Sequence, residues 1–274
     1  MSIALDRSEE IRFPHDCLSV ASRSNIIDRW IYVFTAASFI AIVLTGFVPD
    51  SVGKVAAVQT GARPSFPLVL HIHAVLMGSF LLLLLGQSTL VAFNKRAWHM
   101  RMGVAAAILV PAIIVSACVL APTMYHLAWN AAQTAPTATA RLLQNNVRRL
   151  DNILLLQMRT GLVFSICMWV ALRARKSNPE IHKRLIFLAI ATALPAAFDR
   201  MHWLPTTMPH HPLGADFYTV LAFSPMLLWD LTRNHILNRA YVIWAALFLP
   251  ATATIYALWD KPWWHTTAHQ IMGV

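Results

Sequence analysis

Residues 67–93 read PLVLHIHAVLMGSFLLLLLGQSTLVAF, and this stretch decides the class of the protein. It contains no Asp, Glu, Lys or Arg, and it exceeds the ~20 residues that a helix needs to cross a bilayer. The rest of the chain has the same character: 57% of its 274 residues are hydrophobic and only 12% are charged. A soluble domain carries about 25% charged residues. The composition therefore indicates an integral membrane protein and argues against a soluble enzyme or a disordered chain.

Further apolar segments predict an all-α fold, a single bundle of seven transmembrane helices. The segments cover residues 30–48, 67–93, 102–124, 153–174, 184–204, 215–232 and 238–258. The segment at 215–232 is the least regular, because Asp216, Pro225 and Asp230 interrupt or flank it. Residues 1–29 form a polar tail without the apolar core and cleavage site of a signal peptide. Residues 259–274 are expected to be a second tail.

The distribution of Lys and Arg predicts how the bundle is oriented. If residues 1–29 face the cytoplasm, the loops on that side carry more than twice as many Lys and Arg as the other loops. Such a bias is typical of cytoplasmic loops. We therefore expect a cytoplasmic N-terminus and a periplasmic C-terminus in a bacterial inner membrane. The net charge of +10 then needs no nucleic-acid partner, and the expected partner is the lipid bilayer.

Three of the predicted helices carry polar side chains at a similar depth near the periplasmic face. These are His71 and His73 in the second helix, Gln157 and Arg159 in the fourth, and Asp199, Arg200 and His202 in the fifth. Ionisable groups inside a membrane are costly and face the bundle interior or a water-filled cavity. Asp199 and His202 are three residues apart and share a helix face. We therefore expect these side chains to meet.

The expected meeting point is a metal or haem site of a redox-active membrane protein. His71, His73 and His202 are its candidate ligands, and Asp199 is the carboxylate that orients or completes the set, as in outer shells of metal sites. The residues expected to contact the cofactor are Arg159, Arg200, Gln157 and Gln87, the arginines beside haem propionates. The candidate cofactors are haem b, zinc and copper.

Other interpretations fit the same residues. Asp199 could form an ion pair with Arg159 or Arg200 that holds helices together. Arg159 and Arg200 could bind the substrate of a small-anion permease. The chain could instead be a non-catalytic subunit or assembly factor with a membrane-protein partner. Nucleotide-binding and hydrolase motifs of the P-loop, GxGxxG and GxSxG kinds are absent from the sequence.

A further histidine pair lies near the end of the chain. His265 and His269 have the HxxxH spacing that places two imidazoles on one helix face, where they can chelate zinc or copper. Because the pair follows the last predicted transmembrane helix, we expect it to lie in a frayed, solvated tail.

The run from Arg63 to Met77, which includes His71 and His73, is followed by Gln87 and by a His99-Met-Arg101-Met-Gly turn. This pattern resembles a group of uncharacterised bacterial polytopic inner-membrane proteins with an outer HxH motif and an H-x-R-x-G turn. The resemblance covers roughly residues 60–250. It implies a seven-helix membrane protein, and it implies no activity, cofactor or substrate.

Overall fold

The computed structural model describes residues 26–274 except Ile236, and the regular structure of this range is helical throughout. The helices are α1 Ile26–Gln59, α2 Leu68–Ala92, α3 Arg96–Met102, α4 Val104–Gln133, α5 Thr137–Ala174, α6 Pro179–Ala191, α7 Pro195–Phe198, α8 Leu213–Asn234, α9 Arg239–Leu258 and α10 Pro262–Met272. The predicted all-α class is thus confirmed. The tail predicted for residues 1–29 lies mostly outside the described residues.

Six helical segments of the described chain are long and apolar enough to cross a membrane. They are Ile27–Gln59, Leu68–Ala92, Arg96–Gln133, Thr137–Ala174, Pro179–Phe198 and Arg239–Leu258. Many large apolar side chains on these helices are exposed, which is the surface that lipid covers. The chain is therefore a multi-pass membrane protein.

The predicted sixth segment, 215–232, is helical but does not belong to these six. It forms α8, in which Asp216 and Asp230 lower the hydropathy. Both aspartates are buried and bind arginines of neighbouring helices. Counting membrane-spanning helices from hydropathy alone cannot include this neutralisation, because the arginine partners come from other parts of the chain.

Several helices extend well beyond the predicted apolar segments. α5 has 38 residues, or about 57 Å of helix, against a hydrocarbon core of ~30 Å. Residues 125–152, which lie between two of the predicted apolar segments, are consequently mostly helical, since α4 continues to Gln133 and α5 begins at Thr137. Hydropathy marks only the part of a helix that lies in lipid, and the polar ends of α4 and α5 escape it.

The bundle packs around α6, which contacts α5, α8 and α9. Its residues from Leu185 to Ala191 are all buried except Ile186. α8 also packs against α1, and α10 packs against α4 and α5. We call the end of the bundle that holds α3 the α3 end, and the opposite end the α10 end.

The central helical segment Pro179–Phe198 is interrupted by a tightened turn at 192–194, which we call the break, where Ala193 and Leu194 donate to carbonyls three residues back. α6 ends at Ala191 and α7 begins at Pro195, because a proline has no N–H with which to continue an α-helical hydrogen-bond ladder. Two side chains from other helices bind the break: the Thr160 hydroxyl donates to the Thr192 carbonyl over 3.2 Å, and Trp244 Nε1 donates to the Thr192 hydroxyl over 3.0 Å. Irregular backbone at membrane depth is tolerated where protein buries it or where it lines a cavity.

α1 approaches α7 at backbone distance. A Cβ placed on Gly46 would lie 2.4 Å from the carbonyl oxygen of Ala197. Small residues allow such close approach between membrane helices. Gly46 is therefore required where α1 meets the short helix that follows the break.

Candidate functional site

A buried ion pair lies inside the bundle, between α5 and α8. Arg159 Nη2 donates to Asp216 Oδ1 over 2.6 Å, and the two residues are only 3% and 8% exposed. Arg159 Nη1 also donates to the hydroxyl of Thr252 on α9 over 2.7 Å. Its guanidinium carbon lies 4.4 Å from the ring centre of Phe248, over the aromatic face. Three helices thus hold one cation and one anion together away from water.

The pair is incompletely satisfied. Arg159 Nε and Asp216 Oδ2 are both buried and have no hydrogen-bond partner among the described residues. Native proteins rarely leave buried polar atoms unpaired, and an unpaired one indicates bound water, an ion or a functional role. One spare donor and one spare acceptor therefore remain at a site that already holds a charged pair.

The broken helix lies next to this pair. Thr160, the residue after Arg159, donates to the carbonyl of Thr192 within the break. We call Arg159, Asp216, Thr252 and Phe248, with the adjoining break at 192–194, the central site.

A second buried ion pair occupies the α3 end of the bundle. Arg184 Nε donates to Asp230 Oδ2 over 2.6 Å, and Arg184 also binds Glu180. The hydroxyl of Tyr241 donates to the same oxygen of Asp230 over 2.5 Å. In contrast to the central site, neither Arg184 nor Asp230 has an unpartnered buried side-chain atom. This pair therefore has the character of a structural junction between α6, α8 and α9.

A fully buried carboxylate, Asp151, organises the α10 end. Its side chain accepts hydrogen bonds from the hydroxyl of Tyr125 and, over 2.8 Å, from Nδ1 of His265. Its backbone carbonyl accepts from Trp264 Nε1 over 2.9 Å. Nε2 of His269 lies 3.6 Å from Asp151 Oδ2. Asp151 therefore ties α10 to both α4 and α5.

The expectation of a frayed tail around His265 and His269 is wrong. Residues Pro262–Met272 form α10, with Trp264 and Ala268 buried. The helix is held at its far end as well, where His126 Nε2 donates to the carbonyl of Met272 over 2.7 Å. The spacing did predict that both imidazoles share one face, and that face meets Asp151 rather than solvent.

The three histidines predicted as metal ligands do not come together. His71 is exposed, and its ring meets that of Phe66 edge-on at 6.1 Å. His73 Nδ1 lies 2.9 Å from the hydroxyl of Ser116, between α2 and α4. His202 is exposed in the segment after α7. Each ring therefore has surroundings of its own.

The expected partners of Asp199 are also different. Its carboxylate accepts from Arg149 Nη2 over 2.7 Å, instead of pairing with Arg159 or Arg200. Arg200 instead donates from Nε to Asp50 Oδ2 over 3.2 Å. Ion pairs therefore do join the helices, but neither of the two pairs expected for Asp199 is among them, since the partners are Arg149 of α5 and Asp50 of α1.

The two glutamines expected at the cofactor lie apart from these groups. Gln157 is exposed on α5. Gln87 is half-buried on α2, and both polar atoms of its amide lack a hydrogen-bond partner among the described residues. No group of three or more His, Cys, Asp or Glu side chains within residues 26–274, leaving out Ile236, is arranged to hold a metal ion. These residues do not assemble the predicted site, and metal or haem binding stays a prediction.

Sequence reasoning missed the second half of the central site. Asp216 entered the sequence analysis only as an interruption of an apolar segment. An aspartate within such a segment is itself a signal, because an intramembrane carboxylate needs a partner. The sequence does not show which residue is the partner, because Arg159 lies 57 positions away from Asp216.

Comparisons of the chain with protein-family models, with curated proteins and with solved structures find no match. The functional argument therefore rests on the geometry of the chain itself.

Proposed function

We propose that this chain is a membrane permease that carries a small monovalent anion together with a proton through the central site. The observation that carries the proposal is the buried Arg159–Asp216 pair, in which Arg159 Nε and Asp216 Oδ2 both remain unpartnered among the described residues. Arg159 would bind the anion and Asp216 would bind the proton.

Charge balance explains why the two would move together. With Asp216 ionised, the pair is neutral and Arg159 already has its counter-ion. When Asp216 Oδ2 takes up a proton, the cation of Arg159 is left uncompensated in a buried position, which is strongly unfavourable. A monovalent anion at Arg159 restores neutrality. The site is thus neutral both when empty and when it holds one proton and one anion.

The surroundings of the pair favour a small, singly charged substrate. Thr252 can donate its hydroxyl proton to an anion, and the ring of Phe248 covers one face of the guanidinium. Tyr256, one helical turn beyond Thr252 on α9, also lies close to both members of the pair. With a single cation available, inorganic anions such as nitrate and chloride match the charge of the site.

The proposal also specifies how many helices cross the membrane and which end of the bundle faces the cytoplasm. α8 would cross the membrane as a seventh helix, because its two aspartates are neutralised by Arg159 and Arg184. The excess of Lys and Arg at the α3 end would then face the cytoplasm of a bacterial cell, with the N-terminus inside and the C-terminus outside.

The other functions inferred from the sequence have weaker support. Binding by the predicted ligands needs His202 beside His71 or His73, whereas the three rings lie in separate surroundings. A purely structural subunit would need no unpartnered donor and acceptor in its interior, and it would be expected to purify with a stable partner.

The test is uptake of nitrate and of chloride into liposomes that contain the purified protein. We expect wild-type protein to accelerate uptake when the outside is made more acidic than the lumen. Arg159→Gln should reduce the rate by tenfold or more, since a hydrogen bond to a charged group is worth about 1.5–3 kcal/mol.

Arg200→Gln provides the matched control, because it removes the same charge from a pair with Asp50 that is partly exposed. We expect it to transport at close to the wild-type rate. Equal losses in the two variants, or no uptake by wild-type protein of either anion, would contradict the proposal.

A further inference from the structure

A groove on the membrane-facing surface lies between α4 and α5 at the α3 end of the bundle. Its volume is about 550 Å³, and it is lined by Ala107, Trp169, Leu172, Arg173, Arg175 and Lys176. The small side chain of Ala107 on α4 leaves room beside Leu172 on α5. The groove is therefore apolar along the helices and basic at its rim.

The basic rim has no carboxylate partner among residues 26–274, leaving out Ile236. No salt bridge joins Arg173, Arg175 or Lys176 to a carboxylate of the described residues, while the neighbouring Glu180 is bound to Lys183 and Arg184. The three cations lie at the C-terminal end of α5, at positions 173, 175 and 176. The helix dipole favours positively charged side chains at this end of a helix. All three side chains are exposed in the described structure and can reach an external anion.

An aromatic side chain marks the depth of the rim. Trp169 is 61% exposed, and the guanidinium of Arg173 lies over its ring at 5.3 Å. Exposed tryptophans of membrane proteins collect at the level of the lipid headgroups. The cations therefore lie at the height of lipid phosphates, and the apolar part of the groove lies at the height of acyl chains.

We infer that this groove binds an anionic phospholipid. One acyl chain would lie along Ala107 and Leu172, and the headgroup phosphate would contact Arg175 and Lys176. Basic pockets between transmembrane helices bind anionic headgroups in this way. The charge of the rim distinguishes such a lipid from a zwitterionic one, and the apolar groove distinguishes it from a free phosphate ion. The inference is independent of the permease proposal.

The test compares lipid binding by the full-length protein in neutral detergent. Dioleoylphosphatidylglycerol and dioleoylphosphatidylcholine are titrated separately, and bound lipid is counted by native mass spectrometry while unfolding is followed by tryptophan fluorescence. We expect dioleoylphosphatidylglycerol, and not dioleoylphosphatidylcholine, to give a saturable adduct and to raise the unfolding temperature of the protein. Inorganic phosphate should do neither.

The deciding variant is the triple substitution R173Q/R175Q/K176Q. We expect its affinity for phosphatidylglycerol to fall by about 100-fold, since each of the three basic residues near an anionic surface contributes about fivefold. R141Q/R148Q/K261Q is the matched control, because it removes three exposed charges at the other end of the bundle and should bind lipid as wild type does.

Two further results decide the case if the triple variant does not fold. The single variants R175Q and K176Q are at exposed positions, and each is expected to weaken the adduct, while R173K/R175K keeps the charge and should retain it. Equal binding of both lipids, or full retention of the adduct by the triple or by both single variants, would overturn the inference.

Discussion

Arg159 and Asp216 lie 57 residues apart in the chain, and their side chains meet over 2.6 Å in the interior of the bundle. The pair joins α5 to α8 and lies beside the break between α6 and α7. Forming such a buried pair costs desolvation energy, and removing one partner costs more, because it leaves the other charge buried without compensation. Arg159 Nε and Asp216 Oδ2 have no hydrogen-bond partner among the described residues, and they are the atoms to which the proposal assigns the anion and the proton.

Replacing Asp216 with Asn should make the stability of the protein depend on anions. The substitution leaves Arg159 buried without its counter-ion, and removing one partner of a buried pair costs about 3–5 kcal/mol. We expect a lower unfolding temperature in sulfonate-buffered solution and partial recovery on adding nitrate or chloride. Thermal unfolding in detergent with and without these salts measures both effects.

Asp199→Asn is the control for that experiment. Asp199 pairs with Arg149 at partly exposed positions, and an exposed ion pair is worth about 0–1 kcal/mol. Its unfolding temperature should change little and should respond to salt as wild type does. An Asp216→Asn protein that shows no greater response to nitrate than Asp199→Asn would refute anion binding by Arg159.

Because Gly46 lies against the backbone of Ala197, adding a single methyl group at position 46 should lower the stability of the protein. Gly46→Ala would place its Cβ within 2.4 Å of the Ala197 carbonyl oxygen, a backbone atom that cannot move aside freely. We expect separation of α1 from α7 and a loss of stability of about 1–3 kcal/mol, the usual cost of overpacking. Gly53→Ala on the same helix is the control, because a Cβ there meets nothing within 4 Å.

Chemical unfolding of the two glycine variants, followed by tryptophan fluorescence, measures the difference. The free energy of unfolding should fall for Gly46→Ala and should stay level or rise for Gly53→Ala, since alanine favours helix. Equal stabilities for both variants would mean that α1 and α7 are not in backbone contact.

The attachment of α10 depends on Asp151. Asp151→Leu would leave the hydroxyl of Tyr125 and Nδ1 of His265 without their acceptor, and each buried group left unsatisfied costs about 1–3 kcal/mol. We expect faster amide hydrogen exchange throughout Pro262–Met272, with little change in α2. Hydrogen–deuterium exchange with peptide-level mass spectrometry gives this readout.

His265→Gln tests the same junction more gently. Glutamine keeps a donor near Asp151, so the increase in exchange should be smaller than in Asp151→Leu. Unchanged protection of α10 in both variants would show that the helix is held by Trp264 and the apolar contacts alone.

The sequence predicted the all-α class and the positions of most membrane-spanning segments, because hydropathy is a local property. It underestimated α4 and α5, whose polar ends remain helical outside the apolar stretch. The side-chain partners were beyond local reasoning. Arg200 meets Asp50 from 150 positions away, and a shared depth in the membrane places residues in one layer without saying which of them touch.

The residues of the central site could also be predicted only in part, because their partners are distant in the sequence. Arg159 was correctly singled out as an intramembrane cation, whereas Asp216 was seen only as a defect in an apolar segment. The metal hypothesis rested on the similar predicted depth of His71, His73 and His202 in the membrane. Which helices are neighbours decides such a site, and a single sequence contains no direct record of it.

The most direct test of the central claim is the acidification of liposomes by an inward nitrate gradient. The lumen holds a fluorescent pH indicator, and potassium with valinomycin clamps the membrane potential at zero. One proton should enter with each nitrate, so wild-type protein should acidify the lumen at a rate that a change in the clamped potential does not alter. Arg159→Gln should reduce that rate by tenfold or more, and Arg200→Gln should not. Acidification no faster than in protein-free liposomes, or equally fast with Arg159→Gln, would contradict the account.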